Sequence, residues 1–142
     1  EKNKYYRVST IVRALVENGG GKEAYEIAMN LIEKNEYYEA REIGKVLAVN
    51  RRGEEANEIA KKLIEKNELK EVYEIGVELA VNGQSEKAYK IAIKLIENNE
   101  VYWARCISKK LGENREEEKA NEITCQINNR NNANSQSYCT IS

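Results

Sequence analysis

Four tyrosines and six basic side chains recur at matching places in this chain. They are Tyr6 and Arg13; Tyr38, Arg41 and Lys45; Lys70 and Tyr73; and Tyr102, Arg105 and Lys109. With Ser9 and Val77 they fill twelve positions, none of them acidic, in a chain that otherwise balances 23 basic against 24 acidic residues. Ammonium and guanidinium groups make their strongest hydrogen bonds to carboxylates, and the tyrosines add contact area. The combination suits an acidic peptide, a C-terminal carboxylate or the acidic face of a helix. Arg and Tyr could also stack on single-stranded nucleic acid, but a net charge of −1 gives no overall attraction for a polyanion. The plainer alternative is a set of solvated cations on ordinary helix surfaces, balanced by Glu39, Glu42, Glu71 and Glu74 nearby.

Little else in the chain reads as reaction chemistry. Histidine is absent, so the commonest general base and zinc ligand is missing. Glu54-Glu55 and Glu116-Glu117-Glu118 have the composition of acid/base pairs. They sit at or near helix starts, however, where negative charge favours the helix dipole. There is no phosphate-binding glycine loop and no Cys/His pair. The expectation is a protein without catalytic residues, cofactor or metal. Cys106, Cys125 and Cys139 match no common zinc spacing. A Cys125–Cys139 disulfide is feasible, and unpaired thiols are the simpler reading.

The element that must position these side chains is a repeat. LIEKNE begins at Leu31 and again at Leu63, and LIENNE begins at Leu95, each 32 residues after the last. A fixed period in this range means stacked supersecondary units. Four copies follow, at 5–36, 37–68, 69–100 and 101–132. Residues 1–4 read as the end of a preceding copy, and 133–142 as a tail or partial fifth copy, all in one repeat domain. Proline is absent, so nothing forces a break within the helices.

Each copy holds two helical patterns. In the second, Ala40, Ile43, Gly44 and Leu47 share one face, and Ala56, Ile59, Ala60, Leu63 and Ile64 share another. Asn50 and Gly53 bracket the turn between them, Asn being suited to a helix C-terminus and Gly to unusual backbone angles. Ile11, Ile43, Ile75 and Ile107 form one packing column, and Leu15, Leu47, Leu79 and Leu111 a second. Ala24, Ala56, Ala88 and Ala120 form a third, where small side chains let helices approach closely. One such hairpin cannot bury its apolar face alone, so the copies must stack. A weaker two-copy period runs through Gly19/Arg51/Gly83/Arg115 and Tyr25/Asn57/Tyr89/Asn121. It reads as duplication of a two-repeat unit, with large and small residues compensating across interfaces.

From Tyr5 to about Asn132 the copies resemble tetratricopeptide (TPR) repeats. Ile43-Gly44 and Ile75-Gly76 match the large-apolar-then-Gly step of the first helix, and Leu47 and Leu79 the apolar residue three positions on. Gly19 and Gly83 match the turn, and the four alanines the start of the second helix. The unit is two residues shorter than the usual family period of about 34. The usual Trp is replaced by Val8, Ala40, Val72 or Ala104, and the closing Pro by Glu36, Glu68, Glu100 or Asn132. The resemblance implies an all-α, right-handed α-solenoid of about four stacked hairpins, acting as a non-catalytic protein-interaction scaffold. It implies further that the first helices line a concave groove, which would make the basic and tyrosine positions a peptide-binding site.

The ends suggest an alternative. Val8, Ile11, Val12 and Leu15 open the array without a full helix ahead of them, and the segment holding Tyr138, Cys139 and Ile141 closes it. These two groups could form an assembly surface that stacks copies head to tail into a filament or ring. Partners are therefore expected to be a protein or peptide, or further copies of the chain, with no membrane and no nucleic acid. A cytoplasmic location is expected, or an extracellular one for a processed filament subunit. A Glu/Lys/Ile-rich chain with a single Met also suits a thermophilic or archaeal source.

Overall fold

A computed structural model describes residues 2–131, with side chains from Val8 onward. Eight α-helices follow one another: α1 (Lys2–Glu17), α2 (Gly21–Glu33), α3 (Tyr37–Val49), α4 (Gly53–Glu65), α5 (Leu69–Val81), α6 (Ser85–Glu97), α7 (Val101–Glu113) and α8 (Glu117–Asn131). No strand occurs among the described residues, and none of the helices is long and apolar enough to cross a membrane.

The turns show why helices end where they do. Each of the seven carries one residue in the left-handed region: Gly19, Asn35, Arg51, Asn67, Gly83, Asn99 and Arg115, with φ between 61° and 90°. The following amide bonds back five residues, Arg52 N–H to Leu47 O at 2.8 Å and Glu36 N–H to Leu31 O at 2.8 Å. This is the Schellman closure, which satisfies carbonyls that the helix leaves open. LIEKNE is therefore the last turn of a second helix plus its stop signal. The turn after α3 differs from the expected one. Asn50 keeps φ at −93° and donates its Nδ2 to Val46 O at 2.9 Å. The left-handed residue is Arg51, and Gly53 opens α4 in right-handed geometry. Its missing Cβ instead leaves room for the Gln84 side chain of the next hairpin.

The helices form two layers. First helices pack in succession, α1 on α3, α3 on α5 and α5 on α7, and second helices do the same more loosely. No helix touches another more than two places along the chain, which makes this a one-dimensional stack. Within the first layer, isoleucine fills the gap left by glycine. A Cβ on Gly44 would lie 2.7 Å from Ile75 Cδ1, and one on Gly76 would lie 2.6 Å from Ile107 Cδ1. The knob thus points back toward the preceding repeat.

That direction explains the first hairpin. Ile43, Ile75 and Ile107 are fully buried, each with a first helix packed on its N-terminal side, whereas Ile11 in the same column is 67% exposed, with no such helix among the described residues. Val12 corrects the expected assembly surface. It stands at the position of Gly44 and Gly76, faces the next repeat, and is only 3% exposed. Val8 and Leu15 are half-buried. Residues 2–4, expected as the end of a preceding copy, are helical in α1.

The last hairpin is polar on its outer side. Ser108 stands where Gly44 and Gly76 receive isoleucine, and its Oγ donates to Ala120 O at 2.9 Å. Thr124 replaces the buried alanines at 28, 60 and 92 and is exposed, as is Asn128 in the Ile32 column. Arg130 ties α8 back to the α6–α7 turn through Asn99 Oδ1 at 2.7 Å and Glu97 O at 3.4 Å.

Candidate interaction surface

The ten expected groove residues do not share one environment. Arg41 is not presented to solvent at all. It is 7% exposed, with Nη1 2.8 Å from Glu71 Oε2 and 3.5 Å from Glu74 Oε2, and Nε 3.2 Å from Glu42 Oε2. Its guanidinium also lies 4.1 Å from the centre of the Tyr38 ring. Burial pulls its pKa down, but Glu74, Glu71 and Glu42 outweigh that and hold the group above its ordinary range. Lys45 shares the cluster, 3.4 Å from Glu74 and 3.6 Å from Glu42. Arg41 is therefore paired inside the protein and Lys45, half-buried, at its edge, joining α3 to α5.

The expectation of a groove without acidic residues does not hold on the N-terminal side. A cleft of about 400 Å³ between α1 and α3 is lined by Arg13 and Lys45 but also by Glu17, Glu42 and Glu78. Arg13 is exposed there. Tyr6 lies on α1 ahead of the first described side chain. Tyr138, Cys139 and Ile141 lie outside the described residues; Cys125 is disulfide-bonded, against the simpler reading of unpaired thiols, and its partner also lies outside them.

Tyr73 is a packing residue. Its ring stacks on Trp103 at 5.6 Å between centroids and 12° between planes, closing α5 against α7. Burial first, then the Glu74 charge, raises its pKa. Sequence reasoning did not single out Trp103. A signal was present, since partners on adjacent first helices lie 29 or 30 residues apart, as in Arg41–Glu71 and Lys45–Glu74. Aligning columns at 32 hides those pairs.

What stays free is concentrated on α5 and α7. Tyr102 is 73% exposed, and Lys70, Arg105 and Lys109 are all exposed. None of these three cations forms an ion pair among the described residues. Cys106, half-buried on the same helix as Arg105, is a free thiol.

A second concavity lies on the other layer, where α4 and α6 make their slight contact. It has a volume of about 650 Å³, with Ile64, Ile93 and Tyr89 among its apolar lining. The two-copy period accounts for it. Burial first, then the neighbouring Glu122 carboxylate on α8 and the charge of Glu86, push the Tyr89 pKa up to about 12. Asn57 stands in the same column on α4 and is too short to bridge to α6 in this way. Large and small residues alternate here without compensating, and the seam stays open.

Among the described residues, no three His, Cys, Asp or Glu side chains converge as a metal site. No protein-family model matches the chain, and no curated protein or solved structure is significantly similar to it.

Proposed function

We propose that this chain is a non-catalytic, TPR-like interaction module that holds an acidic protein segment against the α5–α7 side of its first-helix layer. The observation that carries the reading is the charge left over after internal pairing. Arg41 and Lys45 are neutralised by three glutamates, whereas Lys70, Arg105 and Lys109 remain exposed and unpaired among the described residues, with Tyr102 beside them on α7. Exposed cations of this kind steer and orient an anionic partner at low desolvation cost. The TPR-like assignment rests on the 32-residue hairpin repeat and the Ile–Gly packing step. A cytoplasmic location belongs to the same reading.

The test is binding of a fluorescent oligo-glutamate peptide, followed by anisotropy. Arg105→Glu with Lys109→Glu is expected to weaken binding by about tenfold or more, with the helical spectrum unchanged. Added salt is expected to weaken the parent protein's binding in parallel. Equal affinity for parent and variant would remove this surface from the argument. The head-to-tail filament has support on one side only. Ile11 is an open knob, but the far end offers Ser108, Thr124 and Asn128 in place of a glycine gap and apolar neighbours.

A further inference from the structure

The α4–α6 seam departs from the seams on either side of it in two columns at once. At α6–α8 the paired columns hold Tyr89 and Glu122, a phenol beside a carboxylate. At α2–α4 they hold Tyr25 and Glu58, and at α4–α6 they hold Asn57 and Lys90. The ring is lost there and the charge is reversed. Lys90 is the one basic residue in a column otherwise made of Glu26, Glu58 and Glu122. The core registers the change, since Ile32 and Ile96 are 1% and 5% exposed while Ile64, between them in its column, is only half-buried.

The resulting cavity of about 650 Å³ lies within the usual range for small-molecule sites. Ile64, Ile93 and the Tyr89 ring supply apolar lining, and Asn57 and Lys90 both line it too. The other charges on its rim are matched. Lys61 pairs with Glu58 at 3.1 Å, Lys94 with Glu97 at 3.3 Å, and Glu65 with Lys62 at 3.2 Å. Lys90 is exposed and forms no ion pair among the described residues. An apolar recess with one unmatched cation at its edge is what remains.

We propose that the α4–α6 seam is a binding site for a small aromatic carboxylate, with its ring in the space that Asn57 leaves open and its anion beside the Lys90 ammonium. The ring packs on Ile64, Ile93 and Tyr89, where offset or edge-on contact with the phenol adds to apolar burial. The carboxylate meets Lys90 at the water-facing edge, where pairing costs little desolvation. Ring and charge together replace what the Tyr/Glu pair supplies at α6–α8. The site lies on the second-helix layer and does not rest on the α5–α7 surface.

The test is a titration of the isotope-labelled protein with biphenyl-4-carboxylate, followed by amide chemical shifts. A dissociation constant of roughly 0.1–1 mM is expected for a ligand of this size, with shifts centred on α4 and α6. Lys90→Glu should weaken binding about fivefold or more, and the neutral biphenyl-4-carboxamide should bind the parent correspondingly less well. Asn57→Tyr with Lys90→Glu installs the pair found at 89 and 122, and should abolish the titration with the helical spectrum unchanged. Arg105→Glu with Lys109→Glu should leave it as it was, so the outcome is independent of the α5–α7 reading. Four results would overturn the proposal. They are no saturable shifts up to several millimolar, equal affinity for acid and amide, equal affinity for octanoate, which has no ring, and loss of binding in the Arg105/Lys109 variant alone.

Discussion

At the scale of single residues, the same side-chain type does opposite work at positions two repeats apart. Arg41 is enclosed by Glu42, Glu71 and Glu74, whereas Arg105, 64 residues later, points into solvent. Arg41 meets Glu71 on the next first helix, 30 residues ahead. Removing the cation leaves carboxylates crowded without compensation, and a buried pair broken on one side is costly. Those carboxylates are partly hydrated, with side-chain exposures of 15% to 27%, so the expected loss is below that of a fully buried pair. Arg41→Ala is expected to cost about 1–3 kcal/mol in urea unfolding. Arg105→Ala should stay within about 0.5 kcal/mol. A similar loss for both would mean that the cluster is no more than surface charge. The site was accordingly half legible in the sequence. Residue type and helix face identified the cations. Which of them are free depends on partners in the neighbouring hairpin, and those follow the 29- to 30-residue contact spacing and not the 32-residue repeat.

At the scale of elements, stop signals and seams decide the geometry. Asn35, Asn67 and Asn99 tolerate the left-handed region, and Gly19 and Gly83 adopt it without strain. Arg51 and Arg115 occupy it at φ of 62° and 65°, which costs an L-residue roughly 1–2 kcal/mol. Arg51→Gly is therefore expected to stabilise the protein by about 0.5–1 kcal/mol in urea unfolding, after allowing for the extra freedom of glycine in the unfolded chain. Unchanged or lower stability would show that the Arg51 side chain itself contributes to the turn. The α6–α8 seam makes a pH prediction. Burial pushes the pKa of Tyr89 up to about 12, above the ordinary tyrosine value of about 10. Its raised value favours the protonated form, so the associated stability is complete below pH 10 and is lost as pH rises toward 12. The alkaline loss follows from this linkage of proton binding to folding. Tyr89→Phe has no proton to lose and should flatten this residue's part of the alkaline decline, read from urea midpoints across pH 9.5 to 12. An unchanged slope would exclude Tyr89 as its source.

At the scale of the whole molecule, the period was the most legible property, because a phrase repeated every 32 residues is a statement about stacking. LIEKNE yielded the helix ends, and the Ile and Leu columns yielded the core. The uncovered Ile11 was legible from its place in the first copy, whereas the open α4–α6 seam was not, because the Asn57/Tyr89 alternation reads as compensating. The same reasoning locates the weakest point for stacking. Each repeat contacts only its neighbours, so stability is close to a sum of hairpins and junctions. A defect at one junction should therefore divide the unfolding transition instead of lowering all of it. Gly44→Ala places a methyl 2.7 Å from Ile75 Cδ1 in a buried seam. Helix propensity returns about 0.8–1 kcal/mol, while overpacking costs about 1–3 kcal/mol, so a net loss of roughly 1 kcal/mol is expected. Ile75→Val removes the clashing Cδ1 and by itself leaves a small void. The two changes together should then be less destabilising than the sum of each alone, with a coupling of about 1 kcal/mol measured by a double-mutant cycle in urea. Strict additivity would mean that Ile75 does not seat in the Gly44 gap, and the knob-in-gap account of the stack would have to be replaced.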